Sequence, residues 1–359
     1  MTAPSRDLLH ALPKTDLHVH LDGSLRPATV LDLARAVPAP VPLRTEADVM
    51  AACRAPAECS SLEDYLKVFD VTLALMQTET ALERIAFELA EDAHHENVRL
   101  LEVRYAPVLH QRDGLDLDQV VAAVARGLGR ARRRYGIRCG QIICGIRHLT
   151  PASSVELARL ATRWHRRGVI GFDLAGAELG NPAREHLEAF EIVRAANLSV
   201  TVHAGEAFGP ASIHQALHFA GASRLGHGTR LIEDPDLMAW VNDFRIPVEL
   251  CLASNVQTRA VSTLQDHPIG RYLEAGLRVT LNTDNRLVSD TTVTNEYALA
   301  VEAFDLDLDD VLGLVLNGFK AAFLPLADKR RLIEQVLAEF DALGARFSGE
   351  IRRRRRLLV

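Results

Sequence analysis

Four short polar clusters interrupt apolar runs: His18-Val19-His20, His203-Ala204-Gly205-Glu206, His227 between two glycines, and Thr283-Asp284-Asn285. On a strand, His-x-His turns both imidazoles to one side, because side chains alternate with period two. Nitrogens from His18, His20 and His203 with a carboxylate oxygen from Asp284 make an N/O donor set suited to one zinc ion, with a coordination position left for water. Any one of these histidines alone reads as a hydrogen-bonded core residue. The pattern repeated at four run ends predicts a metal centre. Zinc in such a site brings the pKa of water to about 7. Glu206, three residues beyond His203, is placed to shuttle protons without itself binding the metal. His227 reads in two ways: as a hydrogen-bond donor to the attacking oxygen, or as a fourth nitrogen ligand. Other histidines, among them His94, His95, His148, His165 and His218, fall in helical or loop contexts and read as ordinary.

These groups act together only if the chain brings the run ends to one place. Eight strand candidates precede or contain them: Thr15–His20, Leu100–Tyr105, Cys139–Ile146, Val169–Leu174, Ser199–His203, Arg224–Gly226, Pro247–Cys251 and Arg278–Asn282. Helical patterns, such as Ser154–Arg166 and Pro182–Ala196, lie between most of them. Repeated strand-then-helix order predicts parallel strands. Eight units at this length predict the α/β class and a single closed (β/α)8 barrel of TIM type, spanning residues 1–359 as one domain. In such a barrel every strand ends at the same face, where barrel enzymes hold their catalytic groups. Two segments exceed the minimal barrel and predict extra helices: Pro38 to about Gln77 after the first strand, and the region from Leu306 onward at the C-terminus. Insertions after a strand's C-terminal end often cover the active site.

Composition narrows the function classes. The 359 residues are 48% hydrophobic and 25% charged, with a formal net charge of −6. No basic stripe marks a nucleic-acid partner. The one basic cluster, Arg352–Arg356, reads as a solvated terminal segment. No stretch of about 18 uncharged apolar residues predicts a membrane span, and the N-terminal residues carry no apolar core of a signal peptide. Cys53, Cys59, Cys139, Cys144 and Cys251 are an odd set without a CxxC pair. They read as reduced thiols of a cytoplasmic protein. Nothing in the sequence sets the oligomeric state.

Six segments carry a family likeness: LPKTDLHVHLDGSLRP, GFDLAGAE, VHAGE, RLGHGTRL, ELCLASNVQT and LNTDN. In this order, over about residues 12 to 285, they resemble the motifs of the adenosine deaminase family of metal-dependent amidohydrolases, and LNGFKAAFL extends the likeness into the C-terminal helices. The resemblance implies hydrolytic deamination of adenosine and deoxyadenosine with one zinc per chain. It implies His18, His20, His203 and Asp284 as ligands, Glu206 as the proton donor to purine N1, and His227 as the group that orients the attacking oxygen. Gly176 would meet purine N3 through its backbone, and Asp22 the ribose 5′-hydroxyl. SLEDYLKVFD resembles the family's lid helix, which puts Leu62, Tyr65, Leu66 and Phe69 on an apolar wall, where core packing is the competing reading. Ser254 and Asn255 match a Ser-Asn pair that shapes the pocket floor.

Two departures stand against this likeness. Asn285 follows Asp284 where the family usually has a second aspartate, and Ala177 precedes Glu178 where Asp-Glu is frequent. The alternative substrates on the same machinery are 6-aminodeoxyfutalosine, methylthioadenosine and adenine. Asp22 favours a nucleoside with a free 5′-hydroxyl. Purine N7 is a hydrogen-bond acceptor, and an amide donates at any ordinary pH, so Asn285 could replace the usual aspartate at N7; the competing reading has Asn285 pointing away from the pocket and only closing the loop after the eighth strand. No lysine follows the fourth strand, which favours one metal over two. The H-x-E with P-C-x-x-C design of other zinc deaminases is absent.

Overall fold

Each predicted strand forms. In this computed structural model, which describes residues 3–37 and 39–347, the strands are β1 (Lys14–His20), β2 (Val98–Tyr105), β3 (Arg138–Ile146), β4 (Val169–Ala175), β5 (Ser199–Ala204), β6 (Arg224–His227), β7 (Val248–Leu250) and β8 (Val279–Leu281). Pro38 and the Arg352–Arg356 run lie outside the described residues. β7 and β8 are shorter than their apolar runs. Pro247 has no N–H to give a ladder, and Asn282 leaves the strand to hydrogen-bond the Leu250 carbonyl through both its backbone N–H and its side chain.

The strands pair in sequence order from β1 to β8, all parallel. Closure between the two ends happens at the predicted ligands. Val19 bridges Asp284, the His20 N–H donates to the Asp284 carbonyl (2.7 Å), and the Asp284 N–H donates to the His18 carbonyl (2.8 Å). The Leu17 N–H completes the seam on the Asn282 side chain. The fold is the eight-stranded parallel barrel of the (β/α)8 type.

Helices cover the barrel for local reasons. The Leu117–Tyr135 helix starts at a reciprocal capping box of Asp116 and Gln119 and ends at left-handed Gly136, whose φ is 75°. Its Val120, Val121, Val124, Leu128 and Ala131, at helical spacing, face the core. The helix expected over Ser154–Arg166 starts earlier, at Pro151, which fits the first helical position, and ends at Trp164. Pro182–Ala196 splits into a 3₁₀ turn, Ala183–His186, and a helix, Leu187–Ala195. No helix of the described residues is long and apolar enough to cross a membrane.

Both extra segments are helical as expected. The one after β1 forms Glu46–Cys53, Leu62–Leu66 and Phe69–Leu75. The C-terminal one forms Leu308–Ala321 and Leu326–Ala342. Leu62, Tyr65, Phe69 and Leu73 pack with Val288 in an apolar cluster of their own, apart from the main core.

The Leu308–Ala321 helix lies on β1, with Gly318 against Thr15. A Cβ there would sit 2.1 Å from the Thr15 hydroxyl oxygen. Helix propensity alone favours Ala over Gly by about 1 kcal/mol, but overpacking a filled core costs about 1–3 kcal/mol, and Thr15 is 1% exposed, so it has nowhere to go. We expect Gly318→Ala to lower the thermal unfolding midpoint. A raised midpoint would mean that the helix lifts from the strand freely.

Candidate active site

β1, β5 and the turn after β8 carry His18, His20, His203 and Asp284 to one end of the barrel. One ligand atom from each lies within 4.8 Å of the others. Three of the four are buried, and His20 is partly exposed. No other group of three or more potential ligands comes together among the described residues.

Hydrogen bonding decides which ring nitrogens face inward. His18 Nδ1 lies 3.0 Å from Glu249 Oε2, and His203 Nδ1 lies 2.9 Å from Asp173 Oδ2. An ionised carboxylate only accepts, so each Nδ1 carries the hydrogen and each Nε2 presents a lone pair. Those two Nε2 atoms are 3.1 Å apart, and His20 Nε2 is also 3.1 Å from His203 Nε2. Asp284 Oδ1 adds negative charge 3.5 Å from His18 Nε2 and 3.4 Å from His20 Nε2. Lone pairs aimed at one point with no hydrogen between them repel unless a cation sits there. The donor set therefore fits zinc.

The two orienting carboxylates are themselves held. Arg104, fully buried on β2, donates to Asp173 (2.8 Å), Glu249 (2.8 Å) and the Leu17 carbonyl (2.8 Å). Burial alone would raise both acids. His203 and Arg104 instead hold Asp173 well below the usual carboxylate range, and Arg224 and Arg104 do the same for Glu249.

His227 closes β6 with φ at +60°, and Asp284 has φ at +57°. Such left-handed conformations cost on the order of 1–3 kcal/mol each. Asp284 is pinned by its seam bonds to β1. His227 is oriented by Asn255, whose Nδ2 donates to Nδ1 (2.9 Å) while its Oδ1 faces His267 Nε2 (3.1 Å). With Nδ1 accepting, the His227 hydrogen sits on Nε2, on the side of Glu206 Oε2, 3.6 Å away. Burial holds this imidazole neutral, well below its ordinary pKa. His227 is thus built as a donor, and it stands outside the ligand group. Ser254 donates to Asp284 Oδ2 (2.6 Å). The Ser-Asn pair does more than shape a floor: it bonds to the Asp284 carboxylate and to His227 Nδ1.

Glu206 is 5% exposed, and burial, with Asp284 and Glu178 nearby, raises its pKa well above the ordinary value. Its loop is shaped by Glu178, whose carboxylate accepts the N–H groups of Gly205, Glu206, Ala207 and Phe208 and the Ser212 hydroxyl. The acidic position retained in the DLAG-Ala-Glu departure is the one that holds this loop.

A cavity of about 260 Å³ opens over these groups. His20, Asp22, Gly176, His203, Glu206, His227, Asp284 and Asn285 line it together with Leu62, Tyr65, Leu66 and Phe69. His18 lies beneath them, buried. Every candidate residue named from the sequence therefore belongs to this cavity or its base. Gly176 needs to be glycine twice over: its φ is +91°, and a Cβ would meet His148 Nδ1 at 3.1 Å. Asp22 Oδ1 is buried without a hydrogen-bond partner, and burial raises the carboxyl pKa to about 7. The sequence pattern does not single out Asp70 and Arg112, and it reads Cys144 as a plain thiol and His148 as ordinary; all four line the cavity. It also does not single out Arg104, Asp173 and Glu249, which bond to the cluster or to its partners. A charged residue inside each apolar run, as in Phe172-Asp173-Leu174 and Val248-Glu249-Leu250, was the available signal for the last two.

Metal analysis of the purified protein is expected to give about one zinc per chain, and chelation to remove activity and lower thermal stability together, since a ligand of the folded state stabilises it. Removing Asp173 as Asp173→Asn should weaken zinc retention by about 10- to 100-fold, the usual effect of losing an orienting partner. Two equivalents, both needed for turnover, would reject the one-metal site.

The adenosine deaminase family profile matches residues 13–339. Adenosine deaminase 1 of Streptomyces coelicolor is 44% identical over 351 residues, covering 93% of this chain and 88% of the relative. An adenosine deaminase of Mycobacterium tuberculosis is 44% identical over 354 residues, covering 93% and 96%. A crystal structure of an amidohydrolase from Burkholderia ambifaria with bound zinc superposes with a TM-score of 0.87 at 27% identity, covering 96% of this chain and 94% of that one. With its ordered motifs, its closed barrel and its His/Asp cluster, this chain belongs to the adenosine deaminase family.

Proposed function

We propose that this protein is a zinc-dependent hydrolase that converts adenosine and deoxyadenosine, with water, to inosine or deoxyinosine and ammonia. The observation that carries this reading is the convergence of the His/Asp cluster, the buried Glu206 carboxyl and His227, whose Nδ1 is taken by Asn255, on one cavity of about 260 Å³. His18, His20, His203 and Asp284 would hold the zinc, which supplies the Lewis acidity that makes a water nucleophilic at neutral pH. A small purine nucleoside is the partner. The five unpaired cysteines support a reducing, cytoplasmic setting.

The chain's own groups account for the other demands of the reaction. Glu206 keeps its proton because burial disfavours its anion. Giving that proton to purine N1 draws electrons from C6 and readies it for attack. The Nε2–H of His227 faces the attacking oxygen and stabilises the charge that develops on it. Gly176, with no Cβ in a tight left-handed turn, lets its backbone approach N3. Asn285 has amide hydrogens to offer N7. Asp22 Oδ1, buried and unpaired, awaits the ribose 5′-hydroxyl. The apolar wall of Leu62, Leu66 and Phe69 excludes water from the base.

Glu206→Gln keeps the shape of the side chain and removes its exchangeable proton. Zinc content should stay near wild type while kcat falls by at least about 10²-fold, as is typical for general acid–base groups. Near-normal kcat with intact zinc would take Glu206 out of the mechanism. The substrate is tested by comparing kcat/KM for adenosine, deoxyadenosine, adenine, methylthioadenosine and 6-aminodeoxyfutalosine, with adenosine and deoxyadenosine expected to lead. Within that series Asp22→Ala should slow adenosine more than 5′-deoxyadenosine. Equal slowing of both would remove the 5′-hydroxyl contact and favour a substrate with a different 5′ group.

A further inference from the structure

Tyr65 lies on the Leu62–Leu66 helix of the insertion after β1, 2% exposed, with its ring in the apolar wall. An apolar wall needs no hydroxyl, yet this one reaches across to the turn after β8. Its Oη is 3.0 Å from Asn285 Nδ2 and 2.8 Å from Ser289 Oγ, and all three groups are buried. The Asn285 backbone is fixed independently: its N–H donates to the Thr283 carbonyl, and its carbonyl accepts the Ser289 N–H.

A carboxamide has two orientations of nearly the same shape, related by a half-turn that exchanges nitrogen and oxygen. Only one of them presents N–H hydrogens toward a neighbouring acceptor. Gly23 does not select between them. A Cβ there would sit 1.9 Å from Asn285 Oδ1, so the two are in close contact, but that oxygen has no hydrogen-bond partner. The choice falls to Tyr65. A phenol carries one hydrogen. With that hydrogen on Ser289 Oγ, or on Ser254, which also neighbours it, Tyr65 Oη offers Asn285 a lone pair, and a lone pair selects the amide nitrogen. One amide hydrogen then goes to Tyr65 and the second is left for the base.

We propose that Tyr65 is a positioning residue for purine recognition: its hydroxyl, held by Ser289, sets the Asn285 carboxamide with its nitrogen toward the N7 edge of the base. The insertion helix thereby takes part in reading the purine ring as well as covering it. The proposal rests on the reading above in which Asn285 meets N7.

The test compares adenosine with 7-deazaadenosine, whose C7–H cannot accept a hydrogen bond, in the zinc-loaded wild type, in Tyr65→Phe and in Tyr65→Leu. The wild type should prefer adenosine by about 5- to 150-fold in kcat/KM, the effect of leaving one buried donor unpaired. Tyr65→Phe keeps the ring in the wall and removes only the hydroxyl; the preference should shrink at least about three-fold with zinc content unchanged. A defect confined to packing would slow both substrates alike and leave their ratio intact. Tyr65→Leu also lacks the hydroxyl and keeps the wall apolar; it should shrink the ratio as well and decides the matter if Tyr65→Phe does not fold. No preference in the wild type overturns the N7 reading, and the proposal with it. A strong wild-type preference that survives in the folded variants overturns the role of Tyr65 and leaves the N7 reading standing.

Discussion

The Nε2 lone pairs of His18 and His203, held 3.1 Å apart with His20 Nε2 also 3.1 Å from His203, are the constraint on which the rest of this barrel depends. Unsupported, the rings would turn, or a proton would settle between two of them. His18 and His203 cannot turn because their Nδ1 hydrogens are committed to Glu249 and Asp173. Those carboxylates lie in the barrel interior, where an unpaired charge costs several kcal/mol. Arg104 bonds both at once and spends a third hydrogen bond on the Leu17 carbonyl. Arg224 lies within 2.5 Å of the other Glu249 oxygen. The charged interior is thus a consequence of the ligand geometry, and a hydrophobic filling of the same volume would leave the imidazoles without direction.

The same residues close the barrel. β1 and β8 meet through His18, His20 and Asp284 backbone groups, so metal-ligand geometry and strand register are fixed by one set of bonds. A slip of one residue would turn His18 and His20 to the opposite face. Asp284 is kept in a left-handed conformation by this seam, which is how its carboxylate turns back over the strand ends to join the histidines.

How much of this was legible in the sequence follows from where the physics leaves a mark. Polar residues ending apolar runs are conspicuous, so His18, His20, His203, His227 and Asp284 could be placed at strand ends, and their meeting followed from the closed barrel. The alternation rule put both β1 histidines on one side. The roles of Asp22, Gly176 and the individual insertion residues rested on the family likeness, whereas Asn285 stood in the polar cluster that ends the eighth run. Hidden from both were the groups that orient others. Asp173, Glu249 and Arg104 look like single charges inside strands until their partners on distant strands are known. Asn255 gave no hint that it fixes the His227 tautomer, since that depends on a further contact to His267. His148 was passed over because the turn that brings it against Gly176 has no signature of its own.

The division between what the barrel holds and what the insertion holds bears on substrate choice. Changing a residue of the charged interior disturbs a ligand, a carboxylate and a guanidinium together, so that layer is free to vary only at the cost of the metal. Leu62, Tyr65, Phe69 and Leu73 pack in a separate cluster on Val288, apart from the main core. Asn285 sits where the two layers touch: its backbone belongs to the turn that carries Asp284, and its side chain bonds to Tyr65. An aspartate at that position would need a proton to act as donor, whereas the amide needs only an orientation, and orientation is what a hydroxyl on the insertion can supply. The family's usual aspartate and this chain's asparagine therefore pose different demands on the helix above them, and Tyr65 answers the second.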